Sequence, residues 1–125
     1  VLGAIYVSDP KYNVDMFLGV GGGPEGVLAA AALDTYECHF QGRFIFDNDK
    51  DIQEAKSMGI KDLNKKYDLS ELVKGDSLFC ATGITSGDIL NKIMIENKDY
   101  ISETLVTHKN SNLKKIVKNI ISFDE

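Results

Sequence analysis

The chain has 125 residues, 43% of them hydrophobic and 26% charged, with 14 Lys and Arg against 19 Asp and Glu. That length suits one domain with its own core, and no apolar run approaches the roughly 20 residues that a membrane-spanning helix needs. The formal net charge of −5 argues against nucleic acid and anionic membranes as partners.

The charge is unevenly spread. Residues 1–60 hold nine acids and four bases, whereas residues 61–125 hold ten of each, and no Lys or Arg falls between Lys11 and Arg43. An anion bound in that interval must be held by backbone N–H groups, a helix end or a metal ion. Cys38 and Cys80, 42 positions apart, make no disulfide framework. They read as reduced thiols, and with no secretory leader at the start a cytoplasmic location is expected.

In chain order, residues 1–7 are apolar with no polar leader, as if taken from the interior of something longer; periodicity alone leaves helix and strand open. Residues 8–13 form a turn cluster, and residues 14–20 read as a buried strand ended by Gly21, Gly22 and Gly23. Pro24 sits where the first residue of a helix should be, and its alanine-rich sequel carries that helix to about Tyr36. A strand is expected over 41–46, ending at Asp47, then a helix over 51–58 closed by Gly59. Asp68 and Glu71 have capping-box spacing at the start of a short helix over 68–74.

Residues 77–81 read as a short buried strand. The last third is rich in Ile, Val and Thr, in extended segments over 89–95, 103–109 and 113–121, within which 105–108 and 116–120 look like the strands of a hairpin about Asn110-Ser111-Asn112. Residues 113–121 also fit an amphipathic helix, and strand is preferred. The expected fold class is α/β, a layered mixed sheet flanked by helices in a single domain over 1–125.

Chemistry concentrates at Gly19-Val20-Gly21-Gly22-Gly23-Pro24-Glu25-Gly26, which joins the expected strand to a helix. Glycines let the main chain turn tightly and approach a ligand closely, and the first N–H groups of a helix form an anion site. Glu25 falls in the first turn, where the helix dipole stabilises a carboxylate. That carboxylate and a bound phosphate repel each other unless a divalent cation lies between them. The bland reading is a tight turn in which Glu25 only complements the dipole. A rival functional reading takes Gly21, Gly23 and Gly26 as G-x-G-x-x-G and Asp47 as a ribose-binding acid, a dinucleotide-binding module.

A second loop, residues 81–88, carries hydroxyls and two glycines at a strand end, where a parallel sheet would line a ligand crevice. Cys38-His39 lacks zinc spacing, and Asp47, Asp49 and Asp51 lack the glycine and glutamate of a calcium loop. Lys114, Lys115 and Lys118 read as an exposed face. No Ser/His/Asp order with a nucleophile elbow is present.

The motif from Val14 and Asp15 through Gly19–Gly26 to Ala31 resembles the signature of class II fructose-1,6-bisphosphatases and of bifunctional fructose-1,6-/sedoheptulose-1,7-bisphosphatases. Gln41-Gly42-Arg43, Ala55-Lys56-Ser57-Met58-Gly59, the 81–88 loop and Glu103-Thr104-Leu105 match in order and spacing. The resemblance implies the C-terminal subdomain of the lithium-sensitive, metal-dependent sugar-phosphatase fold, part of a protein more than twice as long. It implies Glu25 as a ligand of Mn²⁺ or Mg²⁺, Gly22 with Gly21 and Gly23 as main-chain contacts to a sugar bisphosphate, and no catalytic residue within this stretch. It also implies that residues 1–7 begin a helix, adopted here over a strand, and that the isolated chain is inactive. Pairing with an N-terminal part, homo-oligomerisation or a role as a non-catalytic assembly partner are the associations expected.

Overall fold

The structure, a computed structural model, describes residues 1–123. Its elements are α1 (Leu2–Ile5), α2 (Gly23–Thr35), β1 (Gln41–Gly42), α3 (Asp49–Ser57), β2 (Tyr67–Asp68), α4 (Leu69–Leu72), β3 (Leu78–Thr82), β4 (Met94–Glu96), β5 (Asp99–His108) and β6 (Leu113–Ser122). Two 3₁₀ turns, Tyr6–Ser8 and Pro10–Tyr12, follow α1. The apolar start is therefore helical, as the resemblance implied.

β5 is the central strand of a four-stranded sheet. β6 pairs with it from Asp99↔Ser122 to His108↔Leu113, while β3 and β4 share its other edge, at Leu78↔His108 to Thr82↔Thr104 and Met94↔Ile101 to Glu96↔Asp99. Every pairing is antiparallel. Between β4 and β5 the reason is local: Asn97 (φ 49°) and Lys98 (φ 72°) both take positive φ, the two-residue hairpin turn that matches strand twist. The parallel crevice that the 81–88 loop was read against is absent.

α2 and α1 cover one face of this sheet. Ile5, Ala32, Phe79, Leu90 and Leu105 form one core cluster, and Ala4, Ala29 and Leu33 a second. Alanines on α2 keep the helix close to its neighbours; Ala30 and Ala32 are fully buried. Its last turn buries polar groups with partners. Thr35 donates to the Ala32 carbonyl at 2.7 Å and lies 2.8 Å from the Thr107 hydroxyl. Asp34 accepts from Ser77 and, at 2.7 Å, from Lys109 Nζ. The opposite sheet face is bare: Leu78, Ile95 and Ile121 are 62%, 67% and 65% exposed.

Several caps fall where the sequence put them. α3 itself starts two residues before the expected Asp51, capped by Asn48, which accepts from the Asp51 N–H at 2.9 Å. Gly59 (φ 92°) ends it, with Gly59 N–H on the Lys56 carbonyl and Ile60 N–H on that of Ala55, a Schellman motif. The Asp68 N–H donates to Glu71 at 3.1 Å, one half of the capping box.

Three expected strands differ. Residues 14–20 form no strand: Met16, Leu18 and Val20 are 70%, 83% and 85% exposed, and only the Phe17 ring folds back, over Gly3 and Gly19. An apolar run becomes a buried strand only when another strand pairs with it, and no described strand does. The strand expected over 41–46 shrinks to β1, because Phe44 leaves the ladder to pack on Phe46 and edge-on to Tyr67. The strand over 89–95 shrinks to β4. Its first half is a closed turn, with Gly87 N–H on the Leu90 carbonyl and Asn91 held by both carboxylate oxygens of Glu103. β3 matches its expected span to within one residue at each end, β6 is longer than the expected 116–120 at both ends, and the preferred strand reading of 113–121 holds.

Candidate functional site

The first intrahelical bond of α2 runs from the Gly26 N–H to the Gly22 carbonyl at 3.0 Å. Pro24 has no N–H, so the Gly23 and Glu25 amides point out of the helix start with no helix carbonyl to bond. Gly22 is the N-cap, at φ −64° and ψ 154°, and brings no capping side chain. Its backbone angles suit any residue, and a side chain there would push aside only the flexible end of Glu25. A Cβ on Gly22 would overlap the Glu25 carboxylate, which turns back over the N-cap, whereas Cβ atoms on Gly21, Gly23 and Gly26 would meet nothing.

Gly21, Gly22, Gly23 and Glu25 are thus together and exposed, and Glu25 makes no hydrogen bond or ion pair among the described residues. The turn can receive an anion on its amides and can offer one carboxylate to a cation. It offers no more than that. Among the described residues no three His, Cys, Asp or Glu side chains are grouped to hold a metal ion. Glu25 fits one ligand position of a divalent ion, whose other donors would come from outside this chain.

The dinucleotide reading fails on three counts. No strand leads into Gly21, Asp47 lies in irregular chain between β1 and α3, and the sheet is antiparallel. Cys38 and Cys80 are free thiols. Burial pushes the Cys38 thiol up, away from the reactive thiolate. Asp47 and Asp49 are exposed and Asp51 half-buried, Asp51 being spent on the Asn48 cap.

The 81–88 loop is built, but at another place. Gly83 passes so close under the Asn91 backbone oxygen that any Cβ would collide with it. Tyr6 donates to Asp88 at 3.1 Å and stitches the loop tip to the N-terminal turn. A cavity of about 330 Å³ lies between Leu2, Tyr6 and the hydroxyls of Thr82, Thr85 and Ser86, and no residue of the glycine turn lines it. The structure does not bring the two loops onto one cavity.

A third constellation was not singled out in the sequence. Asp76 Oδ2 lies 2.6 Å from His108 Nε2, and His108 Nδ1 lies 2.7 Å from Ser111 Oγ. Burial of the Asp76 carboxylate is outweighed by the His108 ring and the Asn110 N–H, and its pKa falls below the ordinary value. The register Leu78↔His108 assembles the three from 32 residues apart. A sequence offers no signal for it.

Fold and turn together define a mixed α/β chain with an anion-competent helix entry. Residues 1–121 match the family described as bacterial fructose-1,6-bisphosphatase, glpX-encoded, and the chain belongs to that family. It is 33% identical over 121 residues to the D-fructose 1,6-bisphosphatase class 2/sedoheptulose 1,7-bisphosphatase of Trichormus variabilis, covering 86% of this chain and 35% of that protein. To the fructose-1,6-bisphosphatase class 2 of Haemophilus influenzae it is 35% identical over 131 residues, covering 93% of this chain and 39% of the relative. The chain spans a little over a third of the length of such relatives.

Proposed function

We propose that residues 1–125 form one α/β unit, the C-terminal portion of a class 2 sugar bisphosphatase, and contribute one wall of a centre that hydrolyses the 1-phosphate of fructose 1,6-bisphosphate. The observation that carries this reading is the Glu25 carboxylate folded over Gly22 beside the unpaired amides of Gly23 and Glu25. In it the amides take phosphoryl oxygens, Gly21–Gly23 let the substrate approach the main chain, and Glu25 is one ligand of Mn²⁺ or Mg²⁺. Two negative groups about 4 Å apart near a protein surface repel by about 4 kcal/mol per pair of unit charges. With no Lys or Arg between Lys11 and Arg43, a divalent ion is what reverses that sign. When bound, such an ion activates water toward phosphorus and neutralises the leaving oxygen.

In this reading the setting is cytoplasmic, and the net charge of −5 speaks against nucleic acid and anionic membranes as partners. No described helix is long and apolar enough to cross a membrane. Exposed Met16, Leu18 and Val20, with the bare sheet face at Leu78, Ile95 and Ile121, support docking of the remaining two-thirds of a family-length protein, or of a second copy.

The test is linkage between ion and anion. Inorganic phosphate, followed by amide chemical shifts, is expected to bind about 10-fold more tightly when Mg²⁺ is present. Glu25→Gln should abolish that enhancement. Gly22→Ala should reduce it without lowering the melting temperature, since alanine tolerates the Gly22 backbone angles but its Cβ displaces Glu25. Enhancement of equal size in all three proteins would refute the assignment.

A further inference from the structure

The Asp76–His108–Ser111 chain has an order that a mere hairpin clasp does not require. The Asp76 carboxylate, an acceptor only when ionised, faces His108 Nε2, so that nitrogen carries the ring proton. When the ring carries that one proton, Nδ1 is the lone-pair nitrogen and can accept from the Ser111 hydroxyl 2.7 Å away. The second carboxylate oxygen of Asp76 accepts the Asn110 N–H at 3.1 Å, which fixes the carboxylate as well. Gly75 (φ 85°) turns the chain into this position ahead of β3. Hydroxyl, imidazole and anchored carboxylate are the parts of an activated nucleophile. His108 is 29% exposed, and Ser111 stands exposed in the β5–β6 turn, open to an incoming reagent.

We propose that Ser111 is an acyl-accepting nucleophile, with His108 as its general base and Asp76 as the positioning residue, and that its substrates are activated acyl esters. Ser111 Oγ bonds to the acyl carbon as the carbon–oxygen bond to the leaving group breaks. The hydroxyl proton passes to His108 Nδ1 and then to the departing oxygen. The product is an acyl-serine and a free alcohol or phenol, with no redox change and no co-reactant.

The probe is p-nitrophenyl acetate on the 125-residue chain, read by phenolate release and by peptide mass mapping. The expected result is one acetyl group on Ser111, absent in Ser111→Ala. His108→Gln should slow the labelling about 100-fold. Asp76→Asn should slow it too, and Asp76→Glu should recover part of the rate, which a purely structural clasp would not do. Acetyl groups found only on lysines or the N-terminus of the unaltered protein would overturn the proposal, as would Ser111 labelling at an undiminished rate in folded His108→Gln. The mapping on the unaltered protein decides even if a variant fails to fold.

Discussion

Given fructose 1,6-bisphosphate and Mn²⁺, the 125-residue chain by itself is expected to release no phosphate above the buffer rate. Two-metal phosphatase centres hold their ions about 3.5–4 Å apart, and each ion needs several oxygen donors. This chain offers Glu25, and among the described residues no group of three metal-binding side chains exists. A divalent ion held by one exposed carboxylate is bound weakly and left free to move, so neither a water nor a leaving oxygen would be positioned. The gap between the expected result and a working enzyme is large, since an ordinary enzyme turns over about 10 times per second. Turnover of that order would mean that a complete centre lies within these residues, contrary to the proposed function.

The second large effect is on stability. Asp34 is 6% exposed at the end of α2 and ties the helix to Ser77 ahead of β3 and to Lys109 after β5. Burial raises its pKa, but the Lys109 ammonium and the Ser77 hydroxyl outweigh burial and bring it below the ordinary 3.8. A folded-state pKa below the unfolded one means that the ionised carboxylate stabilises the fold above the unfolded value. That contribution is lost as pH falls through the folded value. Asp34→Ala removes the acceptor and leaves the Ser77 hydroxyl buried without it, a cost of about 2–3 kcal/mol, moderated because Lys109 can turn to water. In a chain of this size that lowers the melting temperature by roughly 10 °C. It should also flatten the loss of stability on acidification below pH 3.8. Unchanged melting and an unchanged acid profile would show that the tie contributes nothing.

What could be read from the sequence was what is decided locally. The Gly-Pro entry to α2, the Asp68–Glu71 spacing, Gly59 at the end of α3 and the hairpin about residues 110–112 each rest on neighbours within a turn of one another. Apolarity was a poorer guide. Residues 14–20 carry the composition of a buried strand, but composition states a need for cover without saying what provides it, and no described strand pairs with them. The 89–95 run went wrong because Glu103, twelve residues on, captures Asn91 and closes a turn inside it. Glu25 and the glycines were legible because they adjoin in the chain; that the Glu25 carboxylate turns back over Gly22 was not. Asp34–Lys109 and Asp76–His108–Ser111 depend on strand register across 75 and 32 residues, and no local pattern announces them.

The account depends most on a single acid and the three glycines beside it. Paramagnetic line broadening by Mn²⁺, read amide by amide, measures that directly and tolerates weak binding. Broadening centred on residues 21–26 and removed by Glu25→Gln is the result the account predicts. Broadening centred elsewhere, or unaltered by that substitution, would contradict it.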